Sequence, residues 1–322
     1  MKKIILIVVT IFLIFIIGFS FKKDESKRIV VSEVTHSVFY SPWYVALENK
    51  YFESEGLDIE VVLTPGADKV AASVISEDAT IGFSGPEATV YIYNNSNEKL
   101  VTFASLTKRD GQFIVGDCKY KDNFSVQDLK GKKVLAGRSG GMPLLMFKYA
   151  LKETNINENE VNIDTSIDFA SLTGAYISGQ GDFVNLFEPN ALKVEKEGKG
   201  CVLSSLGNIS GTVPYTAFYA KESYIKKNKD VIKKFNKALN KGLEFVHKND
   251  AKTIANAIKN QFSDTSIEDL TTIVERYKSA DSWYNSTYIN KKDYNRLLDI
   301  MIYGKTIEKK VNIDDLITNE YN

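Results

Sequence analysis

The chain has 322 residues, 43% apolar and 25% charged, the proportions of a globular protein with room for about two domains of roughly 150 residues each. Its 41 basic and 41 acidic side chains cancel, and no basic block stands out, which excludes the charge footprint of a nucleic-acid binder. The two cysteines, Cys118 and Cys201, lie far in sequence from the two histidines, His36 and His247, so no structural zinc site is expected.

The N-terminus opens with MKK, followed by IILIVVTIFLIFIIGFSF at 4–21 and then KKDESKR. A basic head before an apolar stretch is the pattern of a secretory signal. The 18 apolar-run residues would form a helix about 27 Å long, close to the ~30 Å of a bilayer core, so an uncleaved anchor fits as well. The run shows no A-x-A cleavage pattern and no cysteine near its end to accept a lipid. The expectation is an exported chain, tethered or released. Outside the cytoplasm Cys118 and Cys201 are free to pair, but their spacing leaves the pairing open.

From residue 28 onward strands and helices alternate. RIVVSEV (28–34) reads as a buried strand, and Ser41-Pro42 as a helix cap and first-turn proline. Tyr44, Leu47 and Tyr51 repeat at helical spacing up to Gly56. LDIEVVL (57–63) is a strand with Ile59, Val61 and Leu63 on one face. A helix at DKVAASVIS, a strand at ATIGFS and a helix opened by Pro86 follow, and KLVTFASLTKRDGQFIVG (99–116) gives two extended pieces. The alternation then restarts with strand KKVLAG, helix GMPLLMFKYALKE, strand VNIDTSI, helix FASLTGAYIS, strand DFVNLF and helix EPNALKVE. Both ATIGFSGPEATV (79–90) and GDFVNLFEPNALKV (181–194) run strand, proline, then alanine two residues later, which points to two similar lobes. QFIVG (112–116) and PYTAFYA (214–220) read as strands passing between them, a pair of hinges. Beyond Ala220 the pattern is helical, with lysine-rich faces that read as solvated surface.

The expected fold is therefore α/β, each lobe a mainly parallel sheet flanked by helices, with a helical C-terminal extension. The expected division is a leader or anchor at 1–21, the first part of lobe 1 at 29–115, lobe 2 at 116–213, and the return strand with C-terminal helices at 214–322.

Five segments in order, HSVFYSPWYVALENKYFESEGLDIEVV, ATIGFSGPEA, LKGKKVLAGRSGGMP, LFEPNA and VPYTAFYAKESYIKKN, resemble the substrate-binding proteins of ABC importers. Within these the chain is similar to the SsuA/THI5-like, or NMT1, group, which includes sulfonate-, nitrate- and taurine-binding proteins and thiamine-pyrimidine-binding proteins. The resemblance implies a two-lobed periplasmic-binding fold of the second type. It also implies a small ligand held between the lobes and delivered to a membrane permease served by a separate ATPase subunit. Two departures stand out. The lipidated cysteine usual in low-G+C Gram-positive members is missing. So is the cysteine-rich motif of the fungal enzymes that make the thiamine pyrimidine with pyridoxal phosphate, and no cofactor is expected.

Ligands of open α/β sheets sit beyond the carboxyl ends of the strands. The aromatic turn THSVFYSPWY (35–44) then faces the cleft, where rings stack on a planar ligand and polar edges orient it. His36, Tyr40 and Trp43 are the candidates, with Phe39 and Tyr44 read as packing. Ser84, Gly85 and Glu87 offer a hydroxyl, a flexible backbone and a carboxylate at a helix start, and Phe187 and Glu188 are their counterparts in lobe 2. Ser139, Gly140 and Gly141 open a helix and could turn backbone N–H groups toward a carboxylate, sulfonate, phosphate or ring oxygen. Arg109, at the expected hinge, is a candidate either to bind ligand or to pair with Asp110 across a turn, the ion pair being favoured. No catalytic triad has supporting context, and no catalytic or metal-binding residue is expected; His36 with Glu87 is the one conceivable acid–base pair.

The expected function is capture of a planar heterocycle, such as a thiamine-precursor pyrimidine, by a monomeric, extracytoplasmic, membrane-associated receptor. Alternatives are a sulfonate-, nitrate- or taurine-like anion as ligand, an enzyme on the same fold such as those of alternative menaquinone synthesis, and a tethered sensor domain.

Overall fold

A computed structural model describes residues 28–137 and 141–322. The apolar run at 4–21, and with it the leader or anchor, lies outside the described residues, as do Ser139 and Gly140. Among the described residues no helix is long and apolar enough to cross a membrane.

The strands are β1 (Arg28–Glu33), β2 (Asp58–Leu63), β3 (Ile81–Ser84), β4 (Leu100–Thr107), β5 (Phe113–Gly116), β6 (Lys133–Leu135), β7 (Asn162–Asp164), β8 (Phe183–Leu186), β9 (Cys201–Ser205) and β10 (Thr216–Lys221). They form two five-stranded sheets, ordered β2-β1-β3-β10-β4 and β7-β6-β8-β5-β9. In the first, β1 runs parallel to β2 and β3, and β10 is antiparallel to both β3 and β4. The second repeats the plan, with β6 parallel to β7 and β8, and β5 antiparallel to β8 and β9. Each sheet thus takes its one reversed inner strand from the chain just after it crosses over. This is the two-lobed α/β architecture expected from the strand–helix alternation.

The two crossings lie side by side. Tyr215 and Val213 donate N–H bonds to the carbonyls of Thr107 and Lys108, at 3.0 and 2.9 Å, and the hydroxyls of Thr107 and Thr216 meet at 2.6 Å. Trp283 bridges to Thr107, and the C-terminal segment pairs with Thr102 through Leu316 and Thr318, so the β4 edge is covered rather than open.

Lobe 1 is flanked by α1 (Ser41–Glu48), α2 (Ala67–Ile75) and α3 (Glu87–Asn95), and lobe 2 by α4 (Met142–Glu153), α5 (Leu172–Ile177) and α6 (Asn190–Lys196). The C-terminal extension adds α7 (Lys229–Lys248), α8 (Ala251–Ile258), α9 (Ile267–Ser279) and α10 (Lys291–Tyr303). In α7 the buried Ile232, Phe235, Leu239, Leu243 and Val246 recur at three- and four-residue steps, forming an apolar stripe against α1. At the crossing of these helices a Cβ on Gly242 would lie 2.1 Å from the Pro42 carbonyl oxygen, so only glycine allows the approach.

Several local readings need correction. The helical spacing through Tyr51 is interrupted at Lys50, which takes a left-handed φ of 56°. Leu63 is 56% exposed at the end of β2, an edge strand of its sheet. Strand β9, with a short helix at Leu206–Ser210, occupies a stretch to which the periodicity assigned no element. The open question of the thiols is resolved: Cys118 and Cys201 form a disulfide with Cα atoms 4.9 Å apart, tying the segment after β5 to the start of β9.

Candidate functional site

The aromatic turn after β1 is fixed by polar contacts at both ends. Ser37 caps it by accepting the Phe39 N–H at 3.3 Å, and Trp283 Nε1 donates to the Phe39 carbonyl at 2.8 Å. Held this way, the Phe39 ring reaches Phe187 beyond β8, Tyr215 on the return crossing and Tyr277 on α9, at centroid distances of 5.9, 5.8 and 5.1 Å. A Cβ on Gly111 would sit 2.8 Å from that ring, so the outward crossing also lies directly against it. Rings from both lobes and from the return crossing therefore converge at one place, with the backbone of the outward crossing against them. Tyr40 sits next to Phe39 and packs on Phe83 of β3 at 4.4 Å.

The SGPE turn contributes a carboxyl group. Glu87 is 3% exposed at the first turn of α3, and its side chain folds back over Gly85, where a Cβ would lie 2.0 Å from Oε2. That oxygen has no hydrogen-bond partner, and burial pushes the carboxyl pKa up to about 7. Ser84, fully buried, spends its hydroxyl on Tyr219 at 2.7 Å.

Three candidate side chains are engaged elsewhere. His36 turns to Glu33 through Nδ1 at 3.0 Å and to the Gln261 carbonyl through Nε2 at 2.9 Å, so it pairs with Glu33 and not with Glu87. The buried Glu33 also accepts from the Tyr44 hydroxyl, and its hydrogen bond raises the imidazole pKa. Trp43, on the inward face of α1, lies wholly inside lobe 1 among Phe52, Phe83, Phe218 and Phe235. Glu188 is ion-paired to Arg276 of α9 and accepts the Leu192 N–H at 2.8 Å. Gly141 caps α4 in an extended conformation.

The sequence reading missed a polar group at the crossings. Arg109 does not pair with Asp110; it binds Asp281 at 3.3 Å, and Lys108 binds the same carboxylate at 2.8 Å. Asp110 is left 1% exposed, with Oδ1 accepting the Gln112 N–H at 2.7 Å and Oδ2 without a partner. Burial pushes its pKa well above the usual carboxylate range. The Tyr215 hydroxyl faces this carboxyl and tempers the rise in its pKa, although the two stop short of ordinary hydrogen-bond geometry; the phenol's own pKa is raised by burial first, then by Asp110, Tyr40 and Glu87. Tyr40, Glu87 and Asp110 are thus all within electrostatic reach of the Tyr215 hydroxyl. Gln112 Oε1 and the Asn185 amide are likewise buried and unpartnered. The only sequence signal was KRDG at a crossing, and its adjacent charges suggested a local ion pair instead.

Chemically the site offers carboxyl acceptors, phenol hydroxyls and aromatic faces, while the described cations beside it are already paired. Among the described residues no group of His, Cys, Asp or Glu could hold a metal ion.

The family model described as NMT1/THI5 like matches residues 39–253. A protein of Bacillus subtilis (strain 168), YtlA, named as a candidate binding protein, is 38% identical over 97% of this chain and 93% of its own length. Among solved structures, the alkanesulfonate-binding protein SsuA of Xanthomonas axonopodis pv. citri bound to MOPS superposes with a TM-score of 0.71 at 13% identity, over 91% of this chain and 98% of that one. The nitrate-binding protein NrtA of Synechocystis PCC 6803 gives 0.73 at 14% identity, over 91% and 86%. These two likenesses concern the fold.

Proposed function

This chain belongs to the NMT1/THI5-like family, and on that premise we propose that it is the extracytoplasmic solute-binding component of an ABC importer. It captures a planar heterocycle with N–H donors, such as a thiamine-precursor pyrimidine, between its lobes. A permease and a separate ATPase are its partners, and the apolar run at 4–21 tethers or exports it as a monomer. The disulfide supports an oxidising compartment.

The observation that carries the ligand class is Glu87, a buried carboxyl with an unpartnered oxygen within electrostatic reach of Tyr40 and Tyr215. Burying an acceptor without a donor is costly, and a ligand N–H removes that cost. The rings of Tyr40 and Phe187 supply flat apolar surface for the heterocycle. Because ligand contacts from both lobes exist only in the closed form, binding shifts the open–closed population toward closure. The runner-up ligand, a sulfonate- or nitrate-like anion, is what the two structural neighbours are named for. Two buried carboxyl groups beside the rings oppose it to the extent that they ionise, and offer acceptors to N–H donors in either state.

Calorimetry of the purified chain tests this. Heat with 4-amino-5-hydroxymethyl-2-methylpyrimidine and none with an alkylsulfonate is the expected result; micromolar sulfonate binding with silent pyrimidines would reverse the ligand class. Turnover of a bound solute would favour an enzyme instead.

A further inference from the structure

We propose that Asp110, on the crossing between the lobes, is a ligand-binding and specificity-determining residue that selects solutes with a second N–H donor. This rests on the reading of the cleft as a site for a donor-bearing heterocycle. Asp110 has a structural task for one oxygen only, since Oδ1 holds the Gln112 N–H at 2.7 Å and shapes the turn. Oδ2 has none, although the residue is 1% exposed.

Two cations precede Asp110 in the chain, and both are drawn to Asp281, on the loop after α9. The fold therefore withholds charge compensation from a carboxyl that could have received it locally. An unpaired buried carboxyl is expensive, and such groups concentrate where a ligand completes them.

The surroundings show what would complete it. Among the described residues the buried Tyr215 hydroxyl opposite is the one side-chain donor that faces the carboxyl. It stops short of ordinary hydrogen-bond geometry with it and has no other partner, while Tyr40 and Glu87 lie within its electrostatic reach. A solute donor between Asp110 and Tyr215 would satisfy the carboxyl directly. The position is also firmly held: a Cβ on Gly207, from the lobe 2 side, would lie 2.3 Å from the Asp110 carbonyl oxygen, and Gly111 lies under Phe39. One acceptor at the start of α3 and another on the crossing favour a ring carrying donors at two positions over a ring carrying one.

The test is calorimetry on the full chain and its Asp110→Asn and Tyr215→Phe variants, with 2,4-diaminopyrimidine, 4-aminopyrimidine and methanesulfonate as probes. The wild type should bind the diamino ring at least tenfold more tightly than the monoamino ring. Asp110→Asn, nearly isosteric, should erase that preference, and Tyr215→Phe should reduce it. A preference that survives in Asp110→Asn overturns the assignment while leaving the solute-binding reading intact. Methanesulfonate binding with both pyrimidines silent overturns the reading itself, and the role of Asp110 with it. Melting curves establish that each variant is folded, and Tyr215→Phe carries the test should Asp110→Asn not fold.

Discussion

At the residue scale, Glu87 ties stability to pH in a direction that can be worked out. Burial raises its pKa from 4.5 to about 7, so the folded state holds the proton more tightly than the unfolded chain does. Its contribution is therefore greatest below the unfolded value, falls between pH 4.5 and about 7, and is constant above that. The span corresponds to roughly 3 kcal/mol. His36 works in the same sense over an adjoining window. Its pKa is raised chiefly by the hydrogen bond to Glu33, so its contribution is complete below 6.5 and is lost as the pH rises through the folded value. Glu87→Gln removes the larger slope. Its melting temperature, followed from acid to mildly alkaline pH, should vary less than that of the wild type and exceed it near neutrality. Parallel curves for the two proteins would mean that Glu87 is already neutralised or hydrated.

At the element scale, α7 and the disulfide hold the two halves of the fold in different ways. Leu239 is fully buried in the stripe that α7 lays on α1, so Leu239→Ala should cost about 2–5 kcal/mol by denaturant unfolding. Gly242→Ala adds only a methyl group but drives it into the Pro42 carbonyl, and should cost about 1–3 kcal/mol although alanine favours helix. In lobe 2 the Cys118–Cys201 bond spans 83 residues, and breaking it with a reductant should lower stability by about 2–5 kcal/mol. An unchanged melting temperature after verified reduction would contradict that estimate. These elements also mark what the sequence makes legible. The period of α7, the helix starts after Pro86 and Pro189 and the extended crossings are local patterns, and each folds as its pattern reads. Ser41, read as a cap, instead lies inside α1, where Tyr40 takes the cap position and the Ser41 hydroxyl donates to the Val38 carbonyl. The engagement of Trp43, His36 and Glu188 is not local: their partners include Phe235, Gln261 and Arg276, brought up by the C-terminal helices. Asp110 is the converse case. Sequence adjacency favours Arg109 as its partner, and only the position of Asp281 after α9 draws that cation away.

At the scale of the whole molecule, ion pairs join lobe 2 to the helices carried by lobe 1. Helix α9 packs against α8 and the turn after β1, and its Arg276 reaches Glu188 and Glu195 beyond β8 and on α6. Asp269 of α9 binds Lys196 at 2.7 Å, while Arg296 of α10 donates to the Ser210 carbonyl at 2.7 Å and pairs with Glu153. Most of these groups are partly solvated, and exposed pairs of this kind are worth little. Glu188 differs because it is 2% exposed and already has its pKa raised by burial, so without Arg276 it must hold an unpaired buried charge or take up a proton in the closed form. Stranding one member of a buried pair costs about 3–5 kcal/mol. Opening the cleft lets Glu188 hydrate, so the cost falls on the closed form alone. Arg276→Met should therefore move the ligand-free protein toward an open form with a larger radius of gyration in solution scattering. It should also weaken the binding of any solute by tenfold or more, because closure must be restored before the ligand meets both lobes. Unchanged scattering together with unchanged affinity would show that Arg276 contributes nothing to closure.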